Sequence, residues 1–193
     1  MIKTMSQLMR VARTTALEGL QQPVCLLLTV AALVFTGLQP LVHMHAFGEG
    51  GRLTRDSGLA VMLVFGLLVV VLTSGSTLAR ELSSGTVAAA LAKPISRTGF
   101  LIGKFLGTVA VIALFCWCGV FAVLFAERTA ERYVETARLM GHLRDTTCGR
   151  LALLMPVLAL VGAAGLNWRC RRRFGLWFFL MLSVLQPLLM VGL

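Results

Sequence analysis

Five apolar runs, each long enough to cross a bilayer as a helix, constrain this chain more than any other feature. They are Pro23–Val42, Gly58–Leu78, Phe105–Ala126, Leu151–Trp168 and Phe174–Leu193, and none contains an Asp, Glu, Arg or His. A hydrocarbon core of ~30 Å takes about 20 helical residues to span, and only helices or closed barrels satisfy their own backbone there. Charged residues make up 13% of the 193 residues and the mean hydropathy is +0.86, against roughly 25% charged in soluble domains. The expected fold class is therefore an all-α membrane protein in one transmembrane domain over residues 1–193. Pro23 is suited to a helix start, where its missing N–H is one of the orphans in any case. Pro156 and Pro187 fall inside spans, which calls for neighbouring helices to cover the carbonyls they free.

The cationic residues set an orientation. With the N-terminus inside and the spans alternating, eleven lysines and arginines fall on the inner side and seven on the outer. Cytoplasmic loops carry the excess of Lys and Arg, so the N-terminus is expected in the cytoplasm and the protein in the cell (plasma or inner) membrane as a multi-pass chain. The net charge of +10 is thus mostly a topology signal, and no basic surface outside the membrane is large enough for nucleic acid. Residues 2–20 read as an amphipathic helix, with Met5, Leu8, Met9, Ala12, Ala16 and Leu20 recurring at spacings of three and four beside Lys3, Arg10 and Arg13. Such a helix is expected in the headgroup region before the first span, with lipid as a partner. Residues 127–150 carry Ala130, Val134, Ala137, Met140 and Leu143 broadly on one side, which predicts an external helix or helical hairpin.

The uncharged spans also exclude chemistry. Ion-coupled carriers hold their coupling ion on ionisable groups near the midplane, and none is present. Any transport must take its energy from elsewhere. Gly99-x-x-x-Gly103-Lys104 has one residue too few and no Ser or Thr to be a phosphate-binding loop. Gly103-x-x-x-Gly107 fits close helix packing. Cys25, Cys116, Cys118, Cys148 and Cys170 show no C-x-x-C spacing and read as small apolar packers. His43, His45 and His142 lack a nucleophile or a second ligand set, so no metal site and no catalytic site are expected in this chain.

Between the second and third runs lies the polar, basic segment Arg80–Lys104. Arg80 anchors the second span, and Glu81 stands where a helix N-terminus would welcome negative charge. Ser83–Ala92 reads as a short helix presenting Val87, Ala90 and Leu91 among small residues. Lys93-Pro94 ends it, and Ser96 can cap the next helix.

The pattern Arg80-Glu81, Gly85-Thr86, Leu91, Lys93-Pro94, Ile95-Ser96-Arg97 and Gly103-Lys104 resembles the first cytoplasmic loop of type-2 ATP-binding-cassette (ABC-2) transporter permeases. It looks most like the branch of the gliding-motility and nitrous-oxide-reductase maturation permeases. The resemblance implies a cytoplasmic coupling helix docked on a separate ABC ATPase subunit, with Glu81, Gly85, Thr86, Val87, Leu91, Pro94 and Arg97 as the docking set. It further implies a second permease subunit, in a homo- or heterodimer, and ATP and magnesium held by the partner rather than by this chain. The expected function is a permease subunit, of an exporter, that forms the translocation path. The alternative is a non-transporting membrane scaffold or assembly factor that recruits a soluble partner by the same loop. Family members usually have six spans. Here the fifth apolar run ends at Leu193, which leaves open a natural short form lacking the sixth helix, a degenerate copy or a truncated reading.

Overall fold

The computed structural model describes residues 2–42, 50–83, 97–130, 132–136, 139–143, 146–170 and 174–192. Six helices occur among them: α1 (Ile2–Gln21), α2 (Pro23–Val42), α3 (Gly50–Ser83), α4 (Arg97–Thr129), α5 (Thr146–Cys170) and α6 (Phe174–Gly192). Two short strands, β1 (Arg132–Thr136) and β2 (Leu139–Leu143), lie between α4 and α5. Among the described residues outside that hairpin, the chain adopts the all-helical membrane fold expected from composition.

The helices extend past the apolar runs. α3 starts at Gly50 and ends at Ser83, and α4 starts at Arg97 and ends at Thr129. Hydropathy marks only the part that matches hydrocarbon. The helix continues beyond it because intrahelical bonds still satisfy the backbone at the interface. At 1.5 Å per residue each of these helices is about 50 Å long, well over the ~30 Å of a bilayer core.

Residues 127–150 correct the sequence expectation. Antiparallel pairing runs from Arg132 opposite Leu143 to Thr136 opposite Leu139, a β-hairpin in place of the expected helix. The three-and-four spacing of apolar residues was the misleading signal. Tyr133, Val134 and Thr136 are strand formers in one five-residue stretch, and that local preference prevails.

Glycine and the residue facing it fix how the bundle packs. Along α3 and α4, a Cβ added at Gly58 would meet Val123 at 3.0 Å, Gly119 faces the Met62 thioether, and a Cβ at Gly66 would meet Phe115 at 3.4 Å. These contacts step by four residues in opposite directions, so the two helices are antiparallel and each glycine receives its partner's side chain. α2 is antiparallel to α3 as well. Ser76 Oγ donates to Gln22 Oε1 at 2.7 Å at one end, and Ser57 Oγ donates to Gln39 Oε1 at 3.0 Å at the other. Gly162 against Met181 pairs α5 with α6. The core contains Cys25 and Leu33 of α2, Val69 of α3, Phe115 of α4, Ala163 of α5 and Phe178 of α6.

The outer surface is the reverse of a soluble protein's. Leu59, Leu63, Leu67 and Val71 form an exposed stripe on α3, and Leu101, Phe105 and Val109 form one on α4. Such stripes are satisfied by lipid, whose tails are as apolar as leucine. Among the described residues, three helices are long and apolar enough to cross a membrane, within Pro23–Val42, Gly50–Thr77 and Thr98–Thr129, and Leu154–Arg169 and Phe174–Met190 are shorter apolar helices.

Pro187 illustrates how the bundle covers its own breaks. The ring removes the N–H that would bond the Ser183 carbonyl four residues upstream. Trp117 of α4 supplies a donor instead, with Nε1 at 3.3 Å from Ser183 O. Trp117→Phe is therefore expected to cost about 1 kcal/mol of unfolding free energy in a denaturing-detergent titration. In a Pro187→Ala background the helix provides its own N–H and the same substitution should cost far less. Equal costs in the two backgrounds would refute the account.

Candidate coupling face

The residues singled out in the sequence lie in the connection from α3 to α4. Glu81 is in the last turn of α3 and Arg97 is the first residue of α4. Glu81 thus continues a spanning helix and does not open a new one, which corrects the N-terminal role expected for it. Gly85, Thr86, Val87, Leu91 and Pro94 fall in residues 84–96 and lie outside the described residues, as does most of the short helix expected over Ser83–Ala92. α4 begins directly after Ser96, the residue expected to cap it.

The two helix ends that residues 84–96 join are set in a well-defined frame. The α3 end carries a hydroxyl run in which Thr73 bonds the Val69 carbonyl and Thr77 bonds that of Thr73 at 2.9 Å. These hydroxyls satisfy themselves inside their own helix, and Ser76 reaches across to Gln22. Gln22 is the hinge between α1 and α2. Pro23 cannot bond the Gly19 carbonyl, and the Gln22 N–H bonds it instead at 3.2 Å, so the chain turns there without leaving a buried acceptor open.

α1 lies along the first third of α4, running in the same direction. A Cβ at Gly103 would meet Val11 at 2.9 Å, a Cβ at Gly107 would meet the Ala12 carbonyl oxygen at 2.6 Å, and one at Gly19 would meet Val111 at 3.1 Å. Gly103-x-x-x-Gly107 is thus a packing motif whose partner is the N-terminal helix. Ala12, Thr15 and Gly19 of α1 are buried against it, whereas Met5 and Met9 remain exposed at 64% and 65%. Sequence reading put Met5 and Met9 on one apolar face with Ala12 and Ala16 and expected that face in the headgroup region. The small residues Ala12, Thr15, Ala16 and Gly19, spaced by three and four, were the signal that identifies the true contact face.

The same end of the bundle gathers the start of α6. Gly175 sits directly under the Leu20 carbonyl, where no side chain fits. At the start of α4, the Lys104 ammonium stands 5.3 Å from the centre of the Phe100 ring, a cation–π distance. One end of the molecule therefore brings together α1, the α2 start, the α3 end and the starts of α4 and α6. At this end the α1 backbone comes close to Gly107 of α4, and Gln22 ties the start of α2 to α3.

Among the described residues no group of three or more His, Cys, Asp or Glu is close enough to hold a metal ion. On the outer side of α5 and α6, an apolar groove of about 480 Å³ is lined by Leu158, Trp177, Met181 and Leu188 among others. Its lining carries no charged side chain.

No curated protein and no solved structure matches the chain significantly. A family model described as ABC-2 family transporter protein matches residues 4–188, from the third residue of α1 almost to the end of α6. With nearly the whole helical bundle inside that match, the chain belongs to the ABC-2 transporter family and is a multi-pass membrane permease component of an ABC transporter.

Proposed function

We propose that this permease exports its substrate, and that it is driven by an ATPase on a separate chain that docks on residues 80–97. The observation that carries the reading is the family match over residues 4–188, joined to the absence of Asp, Glu, Arg and His from all five apolar runs. A path without ionisable groups has nothing on which to hold a coupling ion, so the driving energy comes from outside the chain. The N-terminus lies in the cytoplasm by the distribution of Lys and Arg. Glu81, Gly85, Thr86, Val87, Leu91, Pro94 and Arg97 form the docking set, and ATP and magnesium are bound by the partner. A second permease subunit completes the path. The pattern of the 80–104 segment favours the gliding-motility and nitrous-oxide-maturation branch within the family.

The fold gives this reading a mechanical route. Helices of about 50 Å exceed the bilayer core by ~20 Å, enough to lift their ends clear of the hydrocarbon. A push on the α3–α4 connection then reaches two rigid rods, with α1 braced on one and Gln22 tied to the other.

The test is purification of the tagged chain from its own membranes. A subunit bearing a G-x-x-x-x-G-K-[ST] loop is expected to co-purify, and Glu81→Lys or Gly85→Trp to weaken that association while membrane insertion is unchanged. Undiminished co-purification by both variants would overturn the docking role. Co-purification without ATP-dependent transport in reconstituted vesicles would instead indicate a scaffold.

A further inference from the structure

Among the described residues, two buried side-chain atoms have no hydrogen-bond partner, Thr54 Oγ1 and Gln186 Oε1. Gln186 is 2% exposed, and it lines a cavity of about 10 Å³ enclosed by α2, α4, α5 and α6. Leu33, Gly37, Phe125, Met155 and Pro156 are among the other walls. An amide oxygen left unpaired in such a place costs about 1–3 kcal/mol, and hydrocarbon offers it no donor. The space is about the smallest that holds a single water molecule.

A second observation concerns the helix breaks. Pro40, Pro156 and Pro187 are the prolines inside these helices, and each lies in the wall of this cavity or within a few residues of it in sequence. Pro156 is part of the wall, Pro187 follows Gln186, and Gly37 follows Thr36, the residue whose carbonyl Pro40 deprives of its helical N–H. Pro156 does the same to the carbonyl of residue 152. The unpaired Gln186 oxygen in the wall and these freed carbonyls, one residue and one turn from the wall residues Gly37 and Pro156, are all acceptors. Two acceptors cannot bond each other, so what fits between them is a small molecule that donates twice. A cation would find no carboxylate in the wall to balance it.

We propose that this cavity binds one internal water molecule, which donates to Gln186 Oε1 and to a main-chain carbonyl released by Pro40 or Pro156. The water joins two proline-broken helices, α6 and either α2 or α5, at the end of the bundle opposite the α3–α4 connection. It gives those helices a polar contact that can be remade when they shift.

The experiment is X-ray radiolytic labelling of the protein in lipid nanodiscs, which generates hydroxyl radicals from water wherever it is bound. Met155 is 1% exposed and lines the cavity, so it is expected to be oxidised by radiolysis but not by radicals produced in the bulk. In Gln186→Leu its oxidation should fall several-fold, and the melting midpoint should drop because the carbonyls lose their donor. An unlabelled Met155 in the unmodified protein would overturn the proposal, whatever the variant does. A higher midpoint for Gln186→Leu would also overturn it, since removing a dry, unpaired amide stabilises.

Discussion

Gly107→Leu is expected to unseat the N-terminal helix. A Cβ at this position would stand 2.6 Å from the Ala12 carbonyl oxygen, 2.7 Å from Thr15 Cβ and 3.1 Å from the Ala16 nitrogen. Two of those three atoms belong to the α1 backbone and cannot rotate aside, as a flexible side chain could. The remaining carbons of leucine then have to occupy space already filled by α1. Overpacking of this kind costs about 1–3 kcal/mol, and the upper end is expected where backbone has to move. Thr15 is 8% exposed in the native fold, which supplies a direct readout. In a cysteine-free background, Thr15→Cys should be protected from a thiol reagent, and adding Gly107→Leu should make it reactive. Gly165 has nothing within 4 Å of an added Cβ, so Gly165→Leu is the matched control and should leave protection intact. If the cysteine stays protected in the Gly107 variant, α1 does not bear on α4 as described.

This contact also shows what the sequence did and did not make legible. Helix α2 was readable to its ends, because Pro23 marks a start and an unbroken apolar run follows. Gly103 and Gly107 were recognisable as a close-packing pair, since only a missing Cβ lets two backbones approach so nearly. Their partner was not, because a modest amphipathic pattern in residues 2–20 is equally compatible with lying on lipid or on another helix. The difference rests on Ala12, Thr15 and Gly19, small residues that hydropathy scarcely weights. The hairpin at 132–143 was misread for a related reason. Five apolar residues at helical spacing outvoted Tyr133, Val134 and Thr136, although a short segment can follow its local strand preference. The Gln186 site lay beyond sequence reasoning altogether. A glutamine before a proline in an apolar run signals nothing until three other helices close around it. The frame that holds the two helix ends flanking residues 84–96 was not legible in the sequence.

Phe115 and Phe105 offer a test of which face of α4 is core and which is lipid. They lie on one helix, and they are 1% and 69% exposed. In water both would favour burial. In a bilayer the unfolded reference state is already in hydrocarbon, so the transfer contribution largely cancels and packing remains. Phe115→Ala leaves a cavity of roughly 100 Å³, which at about 24 cal/mol per Å³ corresponds to about 2 kcal/mol. Phe105→Ala merely lets a lipid tail move in, and its cost should stay within about 0.5 kcal/mol. Reversible unfolding in mixed micelles would measure both. The position opposite Phe115 sharpens the experiment, because a Cβ at Gly66 would come within 3.4 Å of the Phe115 ring. Gly66→Val should therefore be poorly tolerated alone, yet recover part of the loss when combined with Phe115→Ala. Rescue of that kind requires the two side chains to compete for one volume between α3 and α4. Similar costs at Phe115 and Phe105, with no rescue from Gly66, would mean that the packed and lipid-facing sides of α4 are assigned the wrong way round.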